Sequence, residues 1–193
     1  MKKSSVFLAC LLSGCSADKP TNEELLGALT ELSQKKACLT SGLFSVWPAK
    51  GDSITRNKDI MDRLAEVGLL TYSNGSFNLT SKGKDFFDAE QSGFCFASGH
   101  IVSDIDLLKE IPKEQLPSAV YKAWQISFNV TPMVEGEWID NTALLKKLGV
   151  DLPTITRSQK LSLRIIKRDK ASKVELSDPR FSYTPNHSFK TGW

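Results

Sequence analysis

Val120-Tyr121-Lys122-Ala123-Trp124-Gln125-Ile126-Ser127-Phe128-Asn129-Val130-Thr131 alternates with a period of two. Val120, Trp124, Ile126, Phe128 and Val130 share one side, broken only by Lys122. Tyr121, Ala123, Gln125, Ser127, Asn129 and Thr131 fall on the other. Period two means extended backbone, because successive side chains of a strand point to opposite faces. One apolar face and one more polar face is the pattern of an antiparallel sheet covered on one side. The stretch predicts a central strand and, with it, an α+β fold whose second half is β-rich.

The neighbouring sequence fits that strand. Residues 94–108 read as a second long strand, with turn-prone Ser98-Gly99 inside it as a bulge. Pro112 and Pro117 bracket a loop. Leu161 to Arg168 reads as a third strand with Leu161, Leu163 and Ile165 inward, and Asp169 to Ser172 turns it toward Lys173-Val174-Glu175-Leu176. Between them, Asp140 is placed to cap a short helix carrying Leu144, Leu145 and Leu148, closed by Gly149.

Upstream the period changes. Thr21 and Glu24 have capping-box spacing, and Leu25, Leu26, Ala28, Leu29 and Leu32 make one apolar face of a helix that fades near Ala37. Residues 39–54 read as irregular. Thr55 to Val67 reads as a second helix, with Ile60, Met61, Leu64 and Val67 as its stripe and Gly68 after it. Asn74-Gly75 between two short β-prone runs is a hairpin signal, because a type I′ turn needs two positive φ angles. Thr80 or Ser81 then caps another helical turn. The expected division is a helical and hairpin unit over 21–90 and a β-rich unit over 91–193, packed as one body.

Composition narrows the class. The chain has 193 residues, 25 Lys+Arg against 22 Asp+Glu, a net charge of +3 and 40% hydrophobic residues. These globular values exclude collagen-like, coiled-coil and largely disordered chains. The small charge excess gives no electrostatic reason to expect a nucleic acid or an acidic partner.

The first residues carry an address. Lys2 and Lys3 precede an unbroken apolar run from Val6 to Leu12. Seven residues make about 10 Å of helix, against roughly 30 Å for a bilayer core, so the run fits a signal-peptide h-region over residues 1–14. It ends Leu12-Ser13-Gly14-Cys15, which resembles the lipobox of bacterial lipoproteins. The resemblance implies cleavage before Cys15, lipidation of Cys15, and a membrane-anchored chain in a bacterial cell envelope. Ser16 after the cysteine implies sorting to the outer membrane, facing the periplasm. Two or three acyl chains make release rare, and residues 15–20 form a very short tether.

On that reading Cys10 leaves with the signal peptide and Cys15 becomes the anchor. Cys38 and Cys95 remain in an oxidising compartment, where an even pair reads as one disulfide. The rival is a redox-active or nucleophilic cysteine. Neither residue sits in a Cys-x-x-Cys motif or a local basic cluster.

Two wider resemblances follow. Leu64-Ala65-Glu66-Val67-Gly68-Leu69-Leu70, a hairpin, then Phe77-Asn78-Leu79-Thr80-Ser81-Lys82-Gly83-Lys84 resembles part of a winged-helix domain. Arg56, Lys58 and Arg63 are interleaved with Asp59, Asp62 and Glu66, whereas a DNA-facing helix presents a net positive face. The helix therefore reads as solvated, with no nucleic-acid partner. The layout as a whole resembles a set of uncharacterised bacterial envelope lipoproteins. They join a small helical and hairpin part to a β-rich part beginning near a Phe-Cys motif, here Phe94-Cys95-Phe96.

Catalytic signals are sparse. The two histidines are His100, in the first long strand, and His187, expected to be exposed among turn-formers. No His-x-His or His-Glu-x-x-His spacing occurs, so no metal site or other cofactor is expected. Asp104/Asp106 and Glu135/Glu137 are spaced by two, which on a strand directs both carboxyls to one face. That arrangement suits glycosidase chemistry, with carboxyls about 5 to 9 Å apart, and equally a solvated strand. Trp124 belongs to the core face. Trp138, beside the Glu135-Gly136-Glu137 turn, and Trp193 are the candidate partner contacts. The leading reading is a non-enzymatic envelope binding or assembly-accessory protein, recognising a protein, glycan or lipid. The alternative is a hydrolase of an envelope polymer acting through paired carboxylates.

Overall fold

The structure is a computed structural model and describes residues 19–178 and 186–189. It is α+β, with a mostly antiparallel sheet and a few short helices. Helix α1 (Asn22–Ala28) starts at Thr21, whose hydroxyl accepts from the Glu24 main chain while the Glu24 carboxylate accepts from the Thr21 N–H. That N–H, followed by Lys167, holds the Glu24 carboxyl below its ordinary 4.5 against some desolvation. Helix α2 (Thr30–Ser33) continues it, and strand β1 (Ala37–Thr40) follows. The stretch expected to be irregular holds the end of β1, a 3-10 turn at Gly42–Phe44, and β2 (Ala49–Lys50). A further 3-10 stretch, Gly51–Asn57, delays helix α3 to Lys58–Glu66.

Strands β3 (Leu70–Ser73) and β4 (Ser76–Leu79) form the expected hairpin. Asn74 and Gly75 have φ of 51° and 75°, the conformation that a type I′ turn requires. Helix α4 (Ser81–Phe86) is capped by Thr80, whose Oγ1 accepts from the Gly83 N–H and donates to the Gly68 carbonyl. Then come β5 (Phe87–Asp88), β6 (Gly93–Glu110) and β7 (Lys122–Val134). Helix α5 (Thr142–Leu148) is capped by Asn141 rather than Asp140, and Gly149 closes it at φ 66°. Asp151 caps a further helix, α6 (Leu152–Thr156). Strands β8 (Gln159–Lys167), β9 (Glu175–Leu176) and β10 (His187–Ser188) complete the chain.

The main sheet has the order β10-β1-β6-β7-β8-β9, with β5 also on β6; the small sheet has the order β2-β4-β3. Among the described residues only the β1–β10 pair is parallel. Strand β6 bends past β7 through three register shifts, the first at the expected Ser98-Gly99 position.

The apolar side of β7 behaves as its alternation requires. Trp124, Ile126, Phe128 and Val130 are buried together with Leu163 and Ile165 of β8 and with Leu25, Leu29 and Leu32. Each such leucine contributes roughly 1.5–3 kcal/mol by leaving water. Val120 does not join them. It precedes β7 and packs with Ile111, Ala123 and Ile166 in a separate small cluster. The largest cluster joins Ile60, Met61, Leu64 and Phe77 to Phe94, Phe96, Trp138 and Leu144. Both large clusters thus draw residues from either side of position 90, and the chain there does not divide the core.

Trp138 corrects a sequence expectation. It is 2% exposed, so it is no surface contact. Gly136 turns the chain at φ 84°, and the 3-10 turn Glu137–Asp140 folds the indole inward against Phe86 and Phe94. Cys38 and Cys95 are joined by a disulfide between directly opposed residues of β1 and β6. Cys15 and Trp193 lie outside the described residues. Among the described residues no helix is long and apolar enough to cross a membrane.

Candidate functional site

The face of β7 opposite the α1-packed face carries Gln125, Ser127, Asn129 and Thr131. Register extends it into rows, because directly opposed residues project to the same side of a sheet. Asn129 lies between Ser103 of β6 and Lys160 of β8; Ser127 lies between Asp106 and Ser162; Gln125 lies between Lys109 and Arg164. These three rows are polar, while on the same face Thr131 opposes Ile101 and Ala123 opposes Ile166. Asp106, Lys109, Lys160, Ser162 and Arg164 are exposed, while Gln125 and Asn129 are half-buried.

Hydrogen bonds order part of this face. Gln125 Nε2 donates to Ser162 Oγ at 2.7 Å, and Ser162 Oγ donates to the Ile126 carbonyl at 2.9 Å. Asn129 Nδ2 donates to Asp104 Oδ2 at 2.7 Å. Ser127 is 3% exposed, and its hydroxyl has no hydrogen-bond partner among the described residues. Lys109, Lys160 and Arg164 make no ion pair among those residues.

A hollow opens at one border of the face. Strand β9 pairs with β8 only at Ile165 and Ile166, and the Ser177 N–H then bonds the Arg164 carbonyl at 3.0 Å. The hollow is about 320 Å³, lined by Gln125, Ser162, Arg164, Leu176, Ser177 and Asp178 among others. It offers a guanidinium, an amide and hydroxyl groups beside the side chains of Leu163 and Leu176.

Neither sequence-predicted carboxylate pair keeps the regular strand spacing expected of it. Asp104 has φ 49° on the bulge between Ser103 and Asp106, so spacing by two does not place these side chains equivalently. Asp106 joins the Ser127 row, whereas Asp104 is held by Asn129. Glu135 and Glu137 are separated by the Gly136 reversal rather than carried on one strand, and Glu135 accepts from Ser98 Oγ. All four carboxylates are exposed.

His100 is buried, at 2% exposure. Burial pushes its imidazole below the ordinary 6.5, opposed by a hydrogen bond to the Lys35 main chain. His187, expected to be exposed, is half-buried in β10, and burial lowers it too. Among the described residues no three His, Cys, Asp or Glu side chains group as metal ligands. The polar set of β7 was legible as the complement of its apolar set. Its neighbours on β6 and β8 were not, because pairing register is set between distant segments and three shifts interrupt it along β6. No protein-family model, no curated protein and no solved structure matches this chain.

Proposed function

We propose that this chain is a lipid-anchored binding or assembly-accessory protein of a bacterial cell envelope, engaging its partner through the polar face of β6, β7 and β8. The carrying observation is that face itself: three ordered rows of amide, hydroxyl and charged groups, with cations that no described residue neutralises. The lipobox-like Leu12-Ser13-Gly14-Cys15 supports the anchor, and the short tether would keep the body near the outer membrane.

The winged-helix reading of residues 21–90 draws support from the strand order β2-β4-β3 and from α3 leading into the hairpin. In this proposal the unit is a packing scaffold and takes no nucleic acid. Lys58 pairs with Asp62 at 2.7 Å, Arg63 pairs with Glu66 at 2.6 Å, and Asp59 meets Lys147, so α3 offers no net positive face. Asp104, Asp106, Glu135 and Glu137 are all exposed, without the buried setting a general acid needs, which argues against the hydrolase alternative.

The test is site-directed photo-crosslinking of the full chain in native envelopes. A crosslinker at Ser162 should capture a discrete partner that one at exposed Tyr72 does not. Equal labelling at both positions, or none at Ser162, sinks the proposal. Cys15→Ala should release the chain from membranes, and continued membrane association would refute the anchor.

A further inference from the structure

We infer that the hollow beside Arg164 takes an anionic saccharide, a hydroxyl-rich ring carrying a carboxylate or phosphate. The inference rests on the binding role proposed for this face and names the ligand class.

The acid group follows from Arg164. Its guanidinium is exposed and makes no ion pair among the described residues, at the border of a hollow lined by Gln125, Ser162 and Ser177. A guanidinium is a planar fork whose parallel N–H groups match a carboxylate or phosphate. Lys109 lies in the same row on the far side of Gln125, two strand spacings or about 10 Å away, and extends the positive potential over the row.

The ring follows from the rest of the lining. Hydroxyls of a sugar both donate and accept, and the hollow holds both partners: the Arg164 guanidinium donates, the Ser177 hydroxyl donates or accepts, and the Gln125 amide oxygen accepts. Gln125 and Ser162 are already set by their mutual hydrogen bond, which limits reorganisation on binding. One row in, the buried Ser127 hydroxyl has no partner among the described residues, so a ligand group or water reaching that row would gain a hydrogen bond.

A protein partner fits this hollow poorly. Protein interfaces rely on aromatic and aliphatic anchors. Leu163 and Leu176 line the hollow but are buried and half-buried, and among the described residues the exposed large apolar side chains, Leu26, Val46, Tyr72, Ile101, Leu108, Met133 and Val134, all lie elsewhere. A space of about 320 Å³ stands at the small end of ligand sites, enough for one or two rings.

The experiment is an NMR titration of the isotope-labelled full chain in detergent with glucuronate, glucose 6-phosphate and glucose. Either acid should shift the Gln125, Ser162, Arg164 and Ser177 amides at a concentration about tenfold below that needed with glucose. Arg164→Gln should weaken the acid about tenfold, the loss of one charge-assisted pair. Arg164→Lys should recover part of that, and the exposed Arg157→Gln should change nothing. Glucose acting as well as either acid overturns the anionic selectivity while leaving a saccharide-binding face. Shifts spread over many surface lysines and lost with added salt overturn the inference. Silence of the whole face toward all three probes overturns it, and a partner captured at Ser162 would then show that the binding role survives.

Discussion

Cys38 of β1 and Cys95 of β6 stand directly opposite one another, their Cα atoms 3.7 Å apart, and are bonded. The 57-residue separation encloses α3, the β3–β4 hairpin and α4. The bond therefore ties the helix–hairpin unit to the main sheet at both ends. A loop of that length restricts the unfolded chain by about 4 kcal/mol. Reduction, or the double change Cys38→Ala with Cys95→Ala, should lower the denaturant midpoint by a corresponding amount. An unchanged midpoint under reductant would show that packing alone holds the unit.

Trp138→Ala should destabilise the fold by about 3–5 kcal/mol, because it empties a buried aromatic site between Phe86 and Phe94. A melting temperature equal to that of the parent would mean that the indole is not in the core.

Gly83→Ala should be severely destabilising although alanine favours helices. A Cβ at this position would fall inside the van der Waals radius of the Leu69 carbonyl oxygen, which cannot retreat without disturbing the hairpin. Overpacking of this kind costs about 1–3 kcal/mol or more. Chemical denaturation measures it directly, and a neutral result would show that α4 sits further from β3.

Stability should fall as the pH drops below 6.5. Burial lowers the His100 pKa in the folded chain, so the unfolded chain binds more protons between the folded value and 6.5. Stability thus rises with pH through that window and levels off below the folded value. His187, shifted the same way, adds to the slope. Denaturant midpoints at three pH values should show a shallower slope for His100→Gln than for the parent. Equal slopes would place the titration elsewhere.

Much of the local structure was legible because its causes are local. The alternation of Trp124, Ile126, Phe128 and Val130 specifies a strand and its buried side. The Thr21–Glu24 box, Asn74-Gly75 and Gly149 each mark an element end through a backbone conformation or a cap within four residues. Helix α6 escaped notice because five residues with a proline near the start carry too short a period to detect.

What depends on distant partners was not legible. Trp138 beside two glutamates reads as exposed, and only the inward 3-10 turn and the pocket between Phe86 and Phe94 bury it. Asp104 and Asp106 read as an i, i+2 pair on a regular strand, whereas a bulge with Asp104 at φ 49° lies between them, a backbone irregularity that side-chain identity does not encode. The candidate site has the same origin. Gln125 and Ser127 were on the polar side of their strand by sequence, but Lys109 and Arg164 joined the Gln125 row through register, and the hollow lies where Ser177 and Leu176 come beside Arg164 and Ser162. Sequence by itself determined the period, caps, turns and polar side of each strand, since these depend on neighbours a few bonds away. Tertiary structure decided which rows meet and where the sheet opens, since strand pairing and packing are settled between residues tens of positions apart.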